Sequence, residues 1–192
     1  MPKAQIECLP LTPERWKHFE TLFGKNGACA GCWCMYWRLP GPEWHAGCGT
    51  TNKRRFRGVV GKGGEPGIIA YVNGAPAAWC SIAPREEFTR LERSPTRKRF
   101  DELVTWSITC FFTARPYRHS GLMQALLKAA IAYAKSKGAE VVEGYPVETK
   151  SEHLGSGAAG YMGIATTFRR LGFKLDTKQA NGKNVKRYRY VV

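Results

Sequence analysis

The sequence lacks any apolar run close to the ~20 residues that a membrane-spanning helix needs, so no such helix is expected. Its first residues contain no apolar stretch typical of a secretory signal, and we expect none. Acidic residues are scarce, because 15 Asp and Glu stand against 30 Lys and Arg, for a formal net charge of +15. This surplus predicts attraction to anions such as nucleic acids or phosphorylated small molecules.

A disulfide framework is not expected either. The seven cysteines are an odd number, and a chain of 192 residues can bury a hydrophobic core without covalent cross-links. The 43% of hydrophobic and 23% of charged residues are ordinary for a globular protein. We therefore predict one domain over residues 1–192 with reduced thiols, in the cytoplasm.

The first sixty residues predict two helices separated by an irregular loop. Thr12 followed by Pro13 is typical of an N-cap and first helical position, and the helix is expected to end near Gly24. Residues 24–50 are rich in Gly, Cys, Trp and Pro and show no period, which predicts an irregular loop. Residues 53–60 are expected to form a short basic helix.

The rest of the chain predicts a mixed sheet. Asn73-Gly74 is a type I′ turn signal and predicts a hairpin. Residues 103–113 and 140–146 read as strands on either side of an Ala- and Leu-rich helix over 122–137, which indicates a parallel pair joined by a crossover helix. A helix at about 162–171 and an antiparallel pair near the end complete an α+β fold.

The loop between the first of these strands and its helix carries the features of a phosphate site. A helix N-terminus presents unsatisfied N–H groups and partial positive charge, and Gly121 lets the backbone approach a ligand closely. Arg118 adds charge, and Ser120 is expected to cap the helix. The loop lacks the Gly-Lys-Ser/Thr ending of a P-loop.

These segments resemble a known family. Residues 106–113, followed by Pro-Tyr-Arg-x-x-Gly at 116–121 and the Ala- and Leu-rich helix, resemble motif A of the GCN5-related N-acetyltransferases (GNAT). Residues 168–173 resemble the later Tyr-x-x-x-Gly-Phe segment of the family, and 141–146 stand where its fifth strand belongs. The resemblance covers about residues 66–192.

The resemblance implies that acetyl-CoA lies between the splayed parallel strands 103–113 and 140–146. It also implies direct attack of an acceptor amine on the thioester, with a backbone N–H near Phe111 stabilising the oxyanion. It places the pantetheine arm on Phe111, Phe112 and Thr113, and the pyrophosphate on Arg118, His119, Ser120, Gly121, Leu122 and Met123.

Two positions depart from the family pattern. Met123 stands where Gly or Ala is usual, and Phe168 stands where many members carry a tyrosine proposed as the general acid. Tyr161 and Tyr145 are the alternative proton donors that the sequence offers. The candidate bases are Glu102, Glu143, Glu148 and His153.

The loop at 24–50 is the most unusual stretch. Cys29 and Cys32 have CxxC spacing, with Cys34, His45 and Cys48 nearby, but no second CxxC follows at zinc-finger spacing, and no metal is expected. We expect the loop to fold over the substrate side of the cleft, where aromatic faces bind an apolar or cationic acceptor. The aromatic residues in question are Trp33, Tyr36, Trp37 and Trp44.

The resulting hypothesis is an acetyl-CoA-dependent N-acetyltransferase acting on a primary amine, in a small molecule or a peptide, as a monomer or homodimer. Two alternatives remain open at this point. One is a GNAT-fold protein that holds CoA or acyl-CoA without turnover, as a sensor or regulator. The other is a basic protein associated with RNA, although no recognition motif for nucleic acid is present.

Overall fold

The computed structural model describes residues 4–149, 160–176 and 185–192, and its centre is a seven-stranded sheet of order β1-β2-β3-β4-β5-β7-β6. The strands are β1 (Ile6–Pro10), β2 (Gly67–Val72), β3 (Ala75–Pro84), β4 (Thr105–Thr113), β5 (Val141–Gly144), β6 (Lys174–Leu175) and β7 (Tyr188–Val191). The helices are α1 (Trp16–Phe23), α2 (Gly41–Ala46), α3 (Thr50–Gly61), α4 (Thr89–Glu92), α5 (Leu122–Ser136) and α6 (Ala165–Arg170). Within these ranges no helix is long and apolar enough to cross a membrane.

The sheet is mixed, as the sequence predicts. β4 and β5 run parallel and pair over Thr105–Ile108 and Val141–Gly144, while every other strand pair of the sheet is antiparallel. Helix α5 forms the crossover between them. The predicted strands 103–113 and 140–146 are therefore confirmed, with slightly later starts and an earlier end for β5.

The two parallel strands separate where β4 contains a bulge. Ile108 pairs with Ile82 of β3 and Cys110 pairs with Ser81, so Thr109 is an extra residue on β4. Pairing between β4 and β5 stops at Ile108 and Gly144. Because a bulge bends its strand and increases the local twist, β4 diverges from β5 at this point and a V-shaped cleft opens between them.

Each face of the sheet has its own core. On one face α5 buries Leu122, Leu126 and Ala130 against Ile108 of β4 and the neighbouring strands. On the other face α1 and α3 pack an aromatic cluster that includes Phe19, Phe56 and Trp79. Successive residues of a strand point to opposite faces, so the two cores share the sheet without mixing.

Two turns lie where the local sequence predicts them. Asn73 and Gly74 both have positive φ, +48° and +81°, as a type I′ hairpin turn requires. Gly138 follows α5 with φ of +82°, and the Ala139 N–H donates to the Ala134 carbonyl over 3.0 Å, which completes a Schellman end. The predicted turn at Asn181-Gly182 lies outside the described residues.

Helix boundaries in the first half differ from the prediction. The loop predicted over 24–50 contains α2, whose six residues are too few to show a helical period, and α3 begins at Thr50 rather than 53. Thr12 does not cap α1, because a 3-10 turn over Pro13–Arg15 comes first and the Thr12 side chain bonds to no helix N–H. Helix α6 is likewise shorter than the predicted 162–171.

Gly67 begins β2 in a space too small for any side chain. A methyl group on it would lie 2.3 Å from the Cys80 carbonyl oxygen and 2.5 Å from the Trp79 ring, both fully buried. We therefore expect Gly67→Ala to lower the free energy of unfolding by about 1–3 kcal/mol, the usual cost of overpacking a core. Urea denaturation followed by circular dichroism measures the change.

Gly58 supplies the matched control, because a methyl group there meets nothing within 4 Å and the residue lies inside α3. Gly58→Ala should raise the free energy of unfolding by about 0.5–1 kcal/mol, since alanine favours the helix. Equal stability of the two variants would show that the close contacts at Gly67 are not rigid.

Candidate functional site

The loop before α5 forms the expected cradle of backbone amides. Gly121 is the N-cap in a left-handed conformation, with φ of +78°, and His119 also has positive φ, +63°. The first intrahelical donor is the Gln124 N–H, which bonds to the Gly121 carbonyl over 3.0 Å. The amides of Leu122 and Met123 therefore precede the hydrogen-bonded helix and can hold an anion at its positive end.

Side chains of the cradle only partly match the prediction. Ser120 does not cap α5, because its hydroxyl donates to the Tyr117 carbonyl over 2.5 Å and no side chain caps the helix. Leu122 is buried in the α5 core, and Met123 packs against that core. Arg118 is exposed, and its Nε donates to the Thr113 carbonyl at 3.4 Å, so its charge lies between β4 and the helix start.

The chain after β5 occupies the V-shaped cleft. The Phe111 N–H donates to the Tyr161 carbonyl over 2.5 Å. Val147 bonds twice to the segment that follows Tyr161. Its N–H donates to the Gly163 carbonyl at 2.9 Å, and its carbonyl accepts from the Ala165 N–H at 3.0 Å. The expected oxyanion donor at Phe111 is therefore engaged in this structure, and a ligand that uses it has to displace the Tyr161 carbonyl.

The remaining β4 positions divide between the two faces of the sheet. The Phe111 ring lies on the α5 side, in edge contact with Phe168 at 6.2 Å between centroids, while Phe112 contacts Phe23 on the other side. Thr113 ends the strand beside the cradle. Phe168 is fully buried among aromatic rings, so it acts as a packing residue.

Tyr145 lies in a buried ionic network. Its hydroxyl accepts from Arg85 Nη1 at 2.8 Å and donates to Glu143 Oε1 at 2.9 Å. Glu143 also accepts from the Ser107 hydroxyl at 2.7 Å and forms an ion pair with Arg85. Burial and the neighbouring carboxylate raise the pKa of Tyr145, so the phenol stays protonated and holds this network together.

Tyr161 meets β4 through its backbone carbonyl, and its side chain is half-buried. Its ring meets Tyr36 edge-on, at 6.4 Å between centroids. Burial, with smaller contributions from Tyr36 and Cys110, raises the pKa of Tyr161 to about 12. The phenol is therefore protonated at neutral pH and able to donate a proton.

The aromatic side chains of residues 24–50 do not share one surface. Trp33 is only 3% exposed and stacks in the α1 core against Trp16 and Phe23, so the expectation that it offers a face to an acceptor is wrong. The sequence did not distinguish Trp33 from Tyr36 and Trp37, because the burial of each side chain depends on tertiary contacts.

Tyr36 and Trp37 instead line a cavity of about 430 Å³. Three arginines line the same cavity, and we refer to it as the arginine cavity; the three are Arg90, Arg93 and Arg97. Sequence reasoning missed them, because residues 84–102 predict only a charged, proline-interrupted loop with a helical turn. The visible signal was the spacing of three arginines within eight residues. Trp44 lies beside the cavity, 5.2 Å from the Tyr36 ring centroid.

None of the described candidate bases lies free at the cleft. Glu143 is enclosed in the Arg85 network, and Glu148 accepts from Arg169 at 3.1 Å and also from the Tyr188 hydroxyl. Glu102 is exposed in the loop before β4. His153 lies outside the described residues.

The cysteines of the loop are dispersed. Cys34 is buried and its sulfur accepts from Trp79 Nε1 at 3.0 Å, while Cys29 and Cys48 are exposed. Burial raises the pKa of Cys34 well above its usual range and that of Cys32 to about 11. In the part of the chain that the structure describes, no group of three His, Cys, Asp or Glu side chains could hold a metal ion.

Comparison with known proteins agrees with this geometry. Residues 30–154 match the family described as "Acetyltransferase (GNAT) family". The fold is similar to paia N-acetyltransferase from Thermoplasma acidophilum in complex with coenzyme A, with 10% identity, a TM-score of 0.53 and coverage of 98% of this chain and 99% of that one. It is also similar to polyamine N-acetyltransferase from Drosophila melanogaster, which forms N-acetylagmatine, with 12% identity, a TM-score of 0.54 and coverage of 98% and 100%.

A GCN5-related N-acetyltransferase from Kribbella flavida aligns over 90% of this chain, with 11% identity and a TM-score of 0.49, but this chain spans only 33% of its length. A search of curated protein sequences found no match. At these identities the solved structures establish similarity of fold.

Proposed function

Since the chain belongs to the acetyltransferase (GNAT) family, we propose that it moves an acetyl group from acetyl-CoA to a primary amine of an acceptor. The observation that carries the proposal is the combination of the cleft between β4 and β5 with the amide cradle at the start of α5. This pairing supports an elongated ligand with an anionic end and a hydrogen-bonding arm. Acetyl-CoA, when bound, supplies the activated thioester.

The chain itself provides the binding and orienting groups. The amides of residues 119–123 and the Arg118 guanidinium fit a pyrophosphate, because several N–H donors and a positive charge converge there. The edge of β4 opposite β3, over Phe111, Phe112 and Thr113, is proposed to pair with the pantetheine arm after the Tyr161 carbonyl has left the Phe111 N–H. Once the Tyr161 carbonyl withdraws, the Phe111 N–H becomes a donor for the acetyl oxygen.

Proton transfer is proposed to use Tyr161 as the acid. Its carbonyl accepts from the Phe111 N–H, so the residue lies beside the proposed oxyanion donor, and its phenol remains protonated at neutral pH. The Tyr145 hydroxyl is held between Arg85 and Glu143, so we propose that Tyr145 positions β5 and does not supply the proton. The segment over 24–50 reaches Tyr161 through the ring of Tyr36, which supports its proposed place on the acceptor side.

The direct test is calorimetric titration with acetyl-CoA, followed by release of CoA thiol from acetyl-CoA on addition of amines. Saturable binding in the micromolar range and amine-dependent thiol release support the proposal. Binding without release would favour a CoA-holding sensor, and no binding by the folded protein would reject both functions. Salt-sensitive RNA binding in that last case would favour the nucleic-acid alternative.

Reversing the charge at the cradle should weaken acetyl-CoA binding. Arg118→Glu removes one charge-assisted contact and sets a carboxylate beside the pyrophosphate, so we expect Kd to rise about tenfold or more. Arg54→Glu is the control, because it makes the same change in net charge on the exposed side of α3. Equal affinities of the two variants would rule out the cradle as the pyrophosphate site.

A further inference from the structure

We propose that the arginine cavity binds the acceptor through an anionic oxygen group, so that the acceptor is a small amine that also carries a carboxylate or a phosphate. The inference rests on the acetyl transfer proposed above and names the class of amine. A cavity of about 430 Å³ is within the range for small-molecule sites.

The charged side chains that line the cavity are all positive. Its lining contains three arginines and no Asp or Glu. In the described part of the chain none of the three arginines forms an ion pair with an acid. The acids closest to them in sequence are bound elsewhere, Glu87 to Arg38 and Glu92 to Arg85. The cavity therefore attracts anions and repels polycations.

Two of the three arginines lie over aromatic rings. The Arg90 guanidinium lies 4.0 Å from the centroid of Tyr36, and that of Arg97 lies 5.1 Å from Trp37 and 5.3 Å from Tyr145. A guanidinium over a ring is restrained by that contact and keeps its N–H groups for hydrogen bonds. Arg90 Nε already donates to the Leu39 carbonyl at 3.3 Å and Arg97 Nη1 to the Ser94 hydroxyl at 3.4 Å, so the other terminal N–H groups are the ones offered to a ligand. Such a preorganised fork suits a carboxylate or phosphate.

Two buried donors at the cavity lack protein partners. Trp37 is only 6% exposed, and its Nε1 has no hydrogen-bond partner among the described residues. The Arg97 Nε is also buried and has no hydrogen-bond partner among the described residues. Because buried N–H groups are nearly always satisfied, and protein encloses both of these atoms, an acceptor reaches them through an ordered water or after the cavity wall rearranges around a ligand.

The cavity lies on the acceptor side of the sheet. It adjoins the small core of Trp37, Ala83 and Tyr145, and Ala83 points away from the α5 face, on which its neighbour Ile82 lies. The cavity is thus separate from the phosphate cradle of α5. Tyr36, in the wall of the cavity, meets the Tyr161 ring edge-on. The backbone carbonyl of Tyr161 accepts from the Phe111 N–H. An acceptor anchored there by its anion can extend its amine toward the cleft.

The test compares amines that differ only in the anionic group. We would measure kcat/KM by thiol release for L-arginine against agmatine, L-tyrosine against tyramine, and O-phosphoethanolamine against ethanolamine. In at least one pair the anion-bearing amine should be favoured tenfold or more, and the pair that responds distinguishes carboxylate from phosphate. Equal or better use of the amine without the anion in all three pairs would overturn the inference.

Equilibrium binding decides the case in which no amine of the panel reacts. N-acetyl-L-tyrosine and N-acetyltyramine would be titrated calorimetrically in the presence of CoA, and O-phosphoethanolamine alongside them. Preferential binding of an anion-bearing probe supports the inference, and absence of any preference overturns it. If acetyl-CoA itself fails to bind, the proposed acetyl transfer fails, which is a separate result.

Variants connect the preference to the cavity. Arg97→Gln and Arg90→Gln should each raise KM for the anion-bearing amine about tenfold while KM for acetyl-CoA stays unchanged. Arg99→Gln is the matched control, since Arg99 pairs with Glu86 and does not line the cavity. An unchanged preference in both cavity variants would overturn the inference.

Discussion

Replacing Glu143 with alanine is expected to lower the free energy of unfolding by about 3–5 kcal/mol, the range for breaking one member of a buried ion pair. Glu143 is 1% exposed and accepts hydrogen bonds from Ser107, Arg85 and Tyr145. Arg187 Nη1 lies 3.6 Å from its other oxygen. Removing the carboxylate leaves two buried guanidinium groups with much less compensation, which makes the loss large.

Thermal and urea denaturation of the purified variant measure this effect. Glu86→Ala is the control, because Glu86 pairs with Arg99 at an exposed position and such pairs contribute about 0–1 kcal/mol. Glu143→Gln keeps the shape and one acceptor oxygen, so its loss should be smaller than that of alanine. Identical stability of Glu143→Ala and Glu86→Ala would mean that the network does not hold the fold.

Tyr161→Phe is expected to lower kcat about 100-fold, at the low end of the usual contribution of general acid catalysis, with little change in KM. The substitution removes only the hydroxyl. The ring contact with Tyr36 and the carbonyl that meets Phe111 both remain. Because the pKa of Tyr161 is raised to about 12, the phenol stays protonated below that pH, and this group should cause no loss of activity up to about pH 10.

Steady-state kinetics with a reactive amine and a pH profile test this role. Tyr190→Phe is the matched control, since Tyr190 lies on β7 and packs against Phe173. A Tyr161→Phe variant with wild-type kcat would remove Tyr161 as the proton donor. The acid would then have to come from solvent or from another residue.

Sequence patterns determined the architecture because they act locally. The βαβ order, the Asn73-Gly74 turn and the Gly138 helix end all follow from backbone preferences and side-chain periodicity, which neighbouring residues set. The amide cradle at Gly121 belongs to the same group, since it needs only a strand, a turn and a helix in succession. Its constituents were therefore all recognisable before the fold was known.

Tertiary structure alone decided which side chains share a site. Trp33 and Trp37 are four residues apart in one unusual loop, yet one is buried in the α1 core and the other lines the arginine cavity. That cavity joins the loop after α1 to the arginines of residues 90–97, and the Tyr161 carbonyl reaches Phe111 across fifty residues. Contacts between distant segments depend on how the sheet and helices pack, and no local pattern encodes them.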